Sequence, residues 1–282
     1  MLNDKIGFFK YLLWRNDKIW PKLSQKEQER VLQANKSYNN IRDDYKNPEF
    51  YGDGRVVGGE NWDASDNRLS FFRGAIINEV LEGQKPKSIL EIGPGPGFYT
   101  RLICEKKYVQ EYIGIDIVQP FLDYLKPRLE NLKTQKSDFV FQLACDDFMN
   151  LNYASRFDLI VLLSTVHHIP NRQDLFFKLS EFLKKDGLIL CIDPSHYWRR
   201  KLHLLKSMCF YLKKSYYSKL ENLGTHHMCS SEEYEKLASK NGMVIEKEWF
   251  ILPKKFMKNR VLSHHSWWRR ASSEIAILLK KL

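Results

Sequence analysis

The residues whose types and spacing could do chemistry begin with Glu91-Ile-Gly-Pro-Gly-Pro-Gly97 and continue in a series of acids and histidines downstream. Glycines at 93, 95 and 97 let the backbone turn sharply and admit a ligand where a Cβ would block it. A helix opening after such a turn aims unpaired N–H groups at the same ligand. Asp116 follows in Ile115-Asp-Ile117, then Asp146-Asp147-Phe148, then Ser164-Thr-Val-His-His-Ile-Pro170. A carboxylate at the end of a second strand can accept both hydroxyls of a ribose. Asp146 or Asp147 could accept a hydrogen bond from an adenine amino group. His167 and His168 are the groups able to move a proton near neutral pH.

The turn also discriminates between ligands. Its GxGxG spacing departs from the dinucleotide pattern GxGxxG, because position 98 is Phe. Glu91 places a carboxylate just before the turn, unfavourable beside a pyrophosphate but favourable beside a sulfonium and an α-amino group. S-adenosylmethionine therefore suits the turn better than NAD.

These residues need elements to place them. The pattern predicts strands at 88–92, 112–117, 139–144, 157–163 and 187–192, with helices at 98–106, 119–133 and 174–185 between them. The apolar run Phe157 to Leu163 is that of a strand buried on both faces. Such alternation implies βαβ units and a parallel sheet. Ahead of it, Ser24-Gln-Lys-Glu27 is a capping box opening a helix to about Asn35, the Gly- and Asp-rich stretch 47–67 reads as a loop, and a helix covers 68–81. Beyond Pro194, apolar residues at 198, 202, 205, 209, 212 and 216 mark one face of a helix over 197–220. A helix at 231–241 and strands at 243–250 and 274–279 close the chain.

The 282 residues suffice for one large domain, and 43% apolar content argues against disorder. No apolar run reaches the roughly 20 residues of a membrane span. Met1 to Trp20 is broken by charges and does not read as a secretory signal. The five cysteines form no CxxC pair, which disfavours a disulfide framework or zinc site and suits a reducing cytoplasm; no metal is expected. Residues 194–282 carry 18 Lys and Arg against 7 Asp and Glu, an excess of 11 that equals the whole net charge. This basic third, through 194–270, suits an anionic partner: a membrane surface, an acidic small molecule or a nucleic acid.

Glu91, the three glycines, Asp116 and Asp146 in order, with a histidine-bearing fourth strand, resemble the class I, Rossmann-like S-adenosylmethionine-dependent methyltransferases. The resemblance is strong over 75–193 and weaker over 226–281. It implies an α/β fold: a seven-stranded, mostly parallel sheet flanked by helices. It also implies an N-terminal helical lid over 1–80 and a methyltransferase domain over 81–282. That domain would comprise a core at 87–193, a basic helical insert at 194–223 and closing elements at 224–282. By resemblance, Glu91 and Gly93 to Gly97 hold the methionine part, Asp116 and Ile117 the ribose side, and Asp146, Asp147 and Phe148 the adenine. Ser164 lies beside them, and His167 or His168 stands where some relatives keep a catalytic base. Tyr51, His196, His226 and His227 are expected to line the acceptor pocket, and Tyr51, Trp62 and Arg73 to help close a lid. Nucleobase-amino methyltransferases follow the fourth strand with an Asn/Asp-Pro-Pro-aromatic clamp. Ser164 to Pro170 has none, so a small acceptor methylated on oxygen or carbon is favoured over RNA. An RNA methyltransferase using the basic third, a non-catalytic S-adenosylmethionine-binding partner and a transferase using decarboxylated cofactor stay open as alternatives. The expected location is the cytoplasm, with peripheral contact at a membrane.

Overall fold

The computed structural model describes residues 24–26, 29, 68–169, 171–194, 230–251, 272 and 274–282. The first helix with described bounds, α1 (Arg68–Gln84), buries Phe72, Ile76, Ile77, Val80 and Leu81, which recur along one face. It ends where Lys85 turns left-handed (φ 46) and donates its N–H to Leu81 O at 2.8 Å, just before Pro86. Then follow β1 (Ser88–Ile92), α2 (Thr100–Cys104), β2 (Glu111–Asp116), α3 (Gln119–Gln135) and β3 (Val140–Cys145). Next come β4 (Phe157–Leu163), α4 (Arg172–Phe182), β5 (Leu183–Pro194), α5 (Ser231–Lys240), β6 (Met243–Ile251) and β7 (Glu274–Lys281). Two short 3₁₀ turns, Phe148–Asn150 and Val166–His168, follow β3 and β4.

The seven strands form one sheet in the order β3-β2-β1-β4-β5-β7-β6. The first five run parallel, and β7 lies antiparallel between β5 and β6. Alternate residues of the central strands feed two cores. Ile89, Tyr112, Val161 and Leu190 pack with α1, α2 and α3 on one face. Leu90, Ile113, Ile160 and Ile189 pack with α4 and α5 on the other. Chain order reverses between β1 and β4, so a crevice opens at the carboxyl ends of β2, β1 and β4, where open α/β sheets bind ligands.

The expected sheet and strand sequence are present, with local differences. Helix α2 starts at Thr100, not 98, because residues 93–99 are spent on the turn. Helix α4 spans 172–182 rather than 174–185, and β5 takes over at Leu183. Lys184, Lys185 and Asp186 are exposed; Asp186 breaks the extended run with a left-handed φ of 60, and pairing with β4 is irregular between Phe157 and Leu159. Polar, exposed residues at a helix end carry no periodic signal to separate the two states.

Of the expected N-terminal helix, Gln25, Lys26 and Glu29 are described and helical. The loop 47–67, the helix over 197–220 and the basic segments at 252–260 and 267–270 lie outside the described residues. No helix among the described residues is long and apolar enough to cross a membrane.

Candidate functional site

The glycine turn is held from both sides. Gly93 N–H donates to Ile115 O at 2.8 Å, fixing the end of β1 to β2. On the other side, Thr165 Oγ1 donates to Ile92 O at 3.0 Å, fixing it to the segment after β4. All three glycines have positive φ, 71, 55 and 86 in order. A Cβ on Gly93 would sit 2.6 Å from Thr165 Oγ1, and one on Gly97 would sit 2.4 Å from Leu125 Cδ1 of α3. At Gly95 a Cβ would meet nothing within 4 Å. The turn thus presents its open side at Gly95.

Asp116 stands over that residue. Its Oδ2 accepts from Gly95 N–H at 2.9 Å and its Oδ1 from Val118 N–H at 3.0 Å. The carboxylate is buried, and desolvation pushes its pKa up to about 6 against the backbone hydrogen bonds from Gly95, Val118 and Ile117. Next to it Ile117, 48% exposed, offers an apolar surface. Open space at Gly95, a carboxylate at the β2 end and a neighbouring apolar face fit the adenosyl part of S-adenosylmethionine.

Glu91 is placed otherwise than expected. Its carboxylate is shut beneath the turn, where Oε2 accepts from Thr100 Oγ1 and Tyr112 Oη, each at 2.7 Å. Burial pushes its pKa up to about 7, against the two hydroxyl bonds. Alternation along β1 puts 91 on the same face as Ile89, against α2, so the side chain braces the turn from below. Phe148 is likewise corrected: its ring lies in the core, edge-on to Phe182 at 5.5 Å, and presents no face to an adenine.

The two acids before Phe148 remain at the rim. Asp146 N–H donates to Asp116 O at 3.1 Å, setting the two strand ends side by side. Asp146 Oδ1 accepts from Asp147 N–H and Asn150 Nδ2. Asp147 caps the 3₁₀ turn, accepting Met149 N–H at 3.0 Å.

After β4 the chain bends at Ser164, a non-glycine residue at φ 54 whose N–H is held by Ile192 O at 2.7 Å. The bend carries the histidines to the carboxyl edge. His167 is buried, with Nδ1 2.5 Å from Asp193 Oδ1. The His168 ring lies 4.0 Å from it, centroid to centroid. Asp193 Oδ2 accepts from Tyr234 Oη at 3.1 Å. Neither Asp193 nor Tyr234 was anticipated as part of the site. The signal for Asp193 was an acid closing the apolar run of β5; nothing local marks Tyr234.

Arg73, expected to help close a lid, is engaged with β7 among the described residues. Its Nε and Nη2 grip Glu274 at 2.8 and 2.5 Å, tying α1 to the start of β7. Tyr51, Trp62, His196, His226 and His227 lie outside the described residues. Among the described residues, no three His, Cys, Asp or Glu side chains gather as a metal site.

Comparison with known proteins places the chain by family and fold. Residues 67–248 match the family described as "Methyltransferase domain". A ubiquinone biosynthesis O-methyltransferase of Glaesserella parasuis is 23% identical over 183 residues, 59% of this chain and 73% of that protein. Three other curated methyltransferases are matched over only 38%, 32% and 45% of their lengths, so the chain spans less than half of each. Two solved structures share the fold. Magnesium protoporphyrin IX methyltransferase from Synechocystis, with bound S-adenosylhomocysteine, has TM-score 0.57 and 12% identity, covering 88% of this chain and 98% of that one. Geranyl diphosphate C-methyltransferase from Streptomyces coelicolor has TM-score 0.57 and 15% identity, covering 86% and 84%. The chain belongs to the methyltransferase-domain family, within the class I enzymes that use S-adenosylmethionine.

Proposed function

We propose that this protein methylates oxygen or carbon of a small-molecule acceptor, with His167 as the base. S-adenosylmethionine supplies an electrophilic methyl group whose bond to sulfur breaks, the electron pair staying on sulfur, as the acceptor atom bonds to carbon. Asp116 and the backbone at Gly95 hold the adenosyl part; Asp146 and Ile117 flank it. The observation that carries the reading is the position of His167. It follows Thr165, which bonds to the β1 end, and its ring is held by Asp193 at the end of β5, along the carboxyl edge that also carries the glycine turn. A proton acceptor there is needed for a hydroxyl or an acidic C–H and superfluous for a free amine. The likeness to a ubiquinone biosynthesis O-methyltransferase supports oxygen as one acceptor, and the likeness to an (S)-tetrahydroprotoberberine N-methyltransferase makes the amine the comparison to test. The basic last third supports an acceptor that is acidic or presented at an anionic lipid surface.

Calorimetric titration with S-adenosylmethionine and with NAD tests the cofactor half, beside Gly95→Arg. That side chain enters the ligand space and meets no protein atom at its Cβ. Micromolar binding of S-adenosylmethionine, lost in the variant, supports the reading; binding of NAD alone, or of neither, ends it. Radiolabelled methyl transfer to catechol, a sugar, a sterol and benzylamine tests the acceptor half. Turnover of the amine alone would remove His167 from the chemistry.

A further inference from the structure

Three groups converge on Asp193. Oδ1 lies 2.5 Å from His167 Nδ1 and accepts the His167 backbone N–H at 3.3 Å, while Oδ2 accepts from Tyr234 Oη at 3.1 Å. All three residues are buried, Asp193 at 1% exposure. A carboxylate removed from water must be compensated by donors, and an ionised one can only accept.

We infer that Asp193, aimed by Tyr234, is a positioning residue that holds His167 as the Nδ1–H tautomer. This rests on the assignment of His167 as the base. An imidazole so held carries its lone pair on Nε2 and meets any partner there as an acceptor. During transfer to a hydroxyl, oxygen forms the new bond to the methyl carbon and the hydroxyl proton passes to Nε2. The resulting imidazolium lies against Asp193 Oδ1, and its proton then leaves to solvent. The orienting acid comes from the end of β5, the histidine from the turn after β4, and the hydroxyl that aims the acid from α5. Three elements from one face of the sheet thus converge on one proton.

Long-range proton–nitrogen correlation spectra of the full chain labelled with ¹⁵N-histidine read the tautomer directly, with His167→Gln assigning the signal. The expected result is protonated Nδ1 and bare Nε2 in the wild type, with that preference lost in Asp193→Ala. Protonated Nε2 in the wild type overturns the inference. With catechol as methyl acceptor, Asp193→Asn should lower kcat by about 10²- to 10⁴-fold, the range for losing a general base. The dissociation constant for S-adenosylmethionine should stay within about twofold, and Asp193→Glu should recover part of the rate. Tyr234→Phe, which keeps the buried ring, should lose about tenfold, as expected of one hydrogen bond worth about 1.4 kcal/mol. A folded Asp193→Asn with unchanged kcat would reduce Asp193 to a structural tie and overturn the proposal. Absence of S-adenosylmethionine binding would sink the functional reading while leaving the tautomer result standing, so the two failures are distinguishable.

Discussion

Two buried carboxylates brace the glycine turn, Glu91 from below and Asp116 from its open side, and both hold protons more tightly than free acids do. For Glu91 the pKa rises from 4.5 to about 7. The folded state then binds more protons than the unfolded chain between those values, so this group's contribution to stability falls as pH rises from about 4.5 to 7. A shift of that size corresponds to about 3 kcal/mol. Urea unfolding of wild type and Glu91→Gln at pH 5 and pH 8 should show the wild type losing more on going to pH 8, the difference being of that order. For Asp116 the consequence concerns binding. Its ionised fraction drops to about a tenth at pH 5 for a pKa near 6, so S-adenosylmethionine should bind about tenfold more weakly at pH 5 than at pH 7.5, as calorimetry would show. Replacing Asp116 by Ala should abolish that pH dependence along with most of the affinity. The position of Asp116 was legible because an acid after the second strand falls at the crevice whichever way the sheet packs. The direction of Glu91 was not: its face depends on Thr100 and Tyr112 lying opposite, a juxtaposition made only by the assembled sheet. Phe148 was misplaced for the same reason, since spacing alone does not tell a rim aromatic from a core one.

At the scale of elements, the turn is a contact surface for α3 as well as a cradle. A methyl group at Gly97 would drive into Leu125, and φ 86 adds backbone strain. Gly97→Ala should therefore cost about 1–3 kcal/mol of unfolding free energy, as overpacking does. Gly95→Ala, strained by its φ but unobstructed, should cost about 1 kcal/mol; denaturant midpoints separate the two. The strands and their order were readable because β1, β2, β4 and β5 are buried, apolar and bounded by turn residues. The join between α4 and β5 was not, because Lys184 to Asp186 are exposed and indifferent to period. Asp193 escaped notice because one acid after an apolar strand looks like a strand terminus until His167 and Tyr234 are seen against it.

Across the whole molecule, the grip of Arg73 on Glu274 joins residues 201 apart in sequence and pins α1 to the antiparallel β7. Both side chains are largely withdrawn from water. Removing one partner strands a charge, so Glu274→Gln or Arg73→Met alone should destabilise by about 3–5 kcal/mol, whereas replacing both with apolar residues should recover much of that loss. Thermal and urea unfolding of the two single variants and the double variant would show it. The hydrogen bond from Tyr234 to Asp193 also spans a long stretch, 41 residues. It acts as a staple across the base of everything the chain inserts between β5 and α5. The entropy of closing such a loop grows only logarithmically, and doubling its length costs about 0.6 kcal/mol. Mutation can therefore lengthen or rewrite that stretch at small entropic cost while Asp193 and Tyr234 stay in register, so its sequence is freer to vary than that of the sheet it leaves and rejoins.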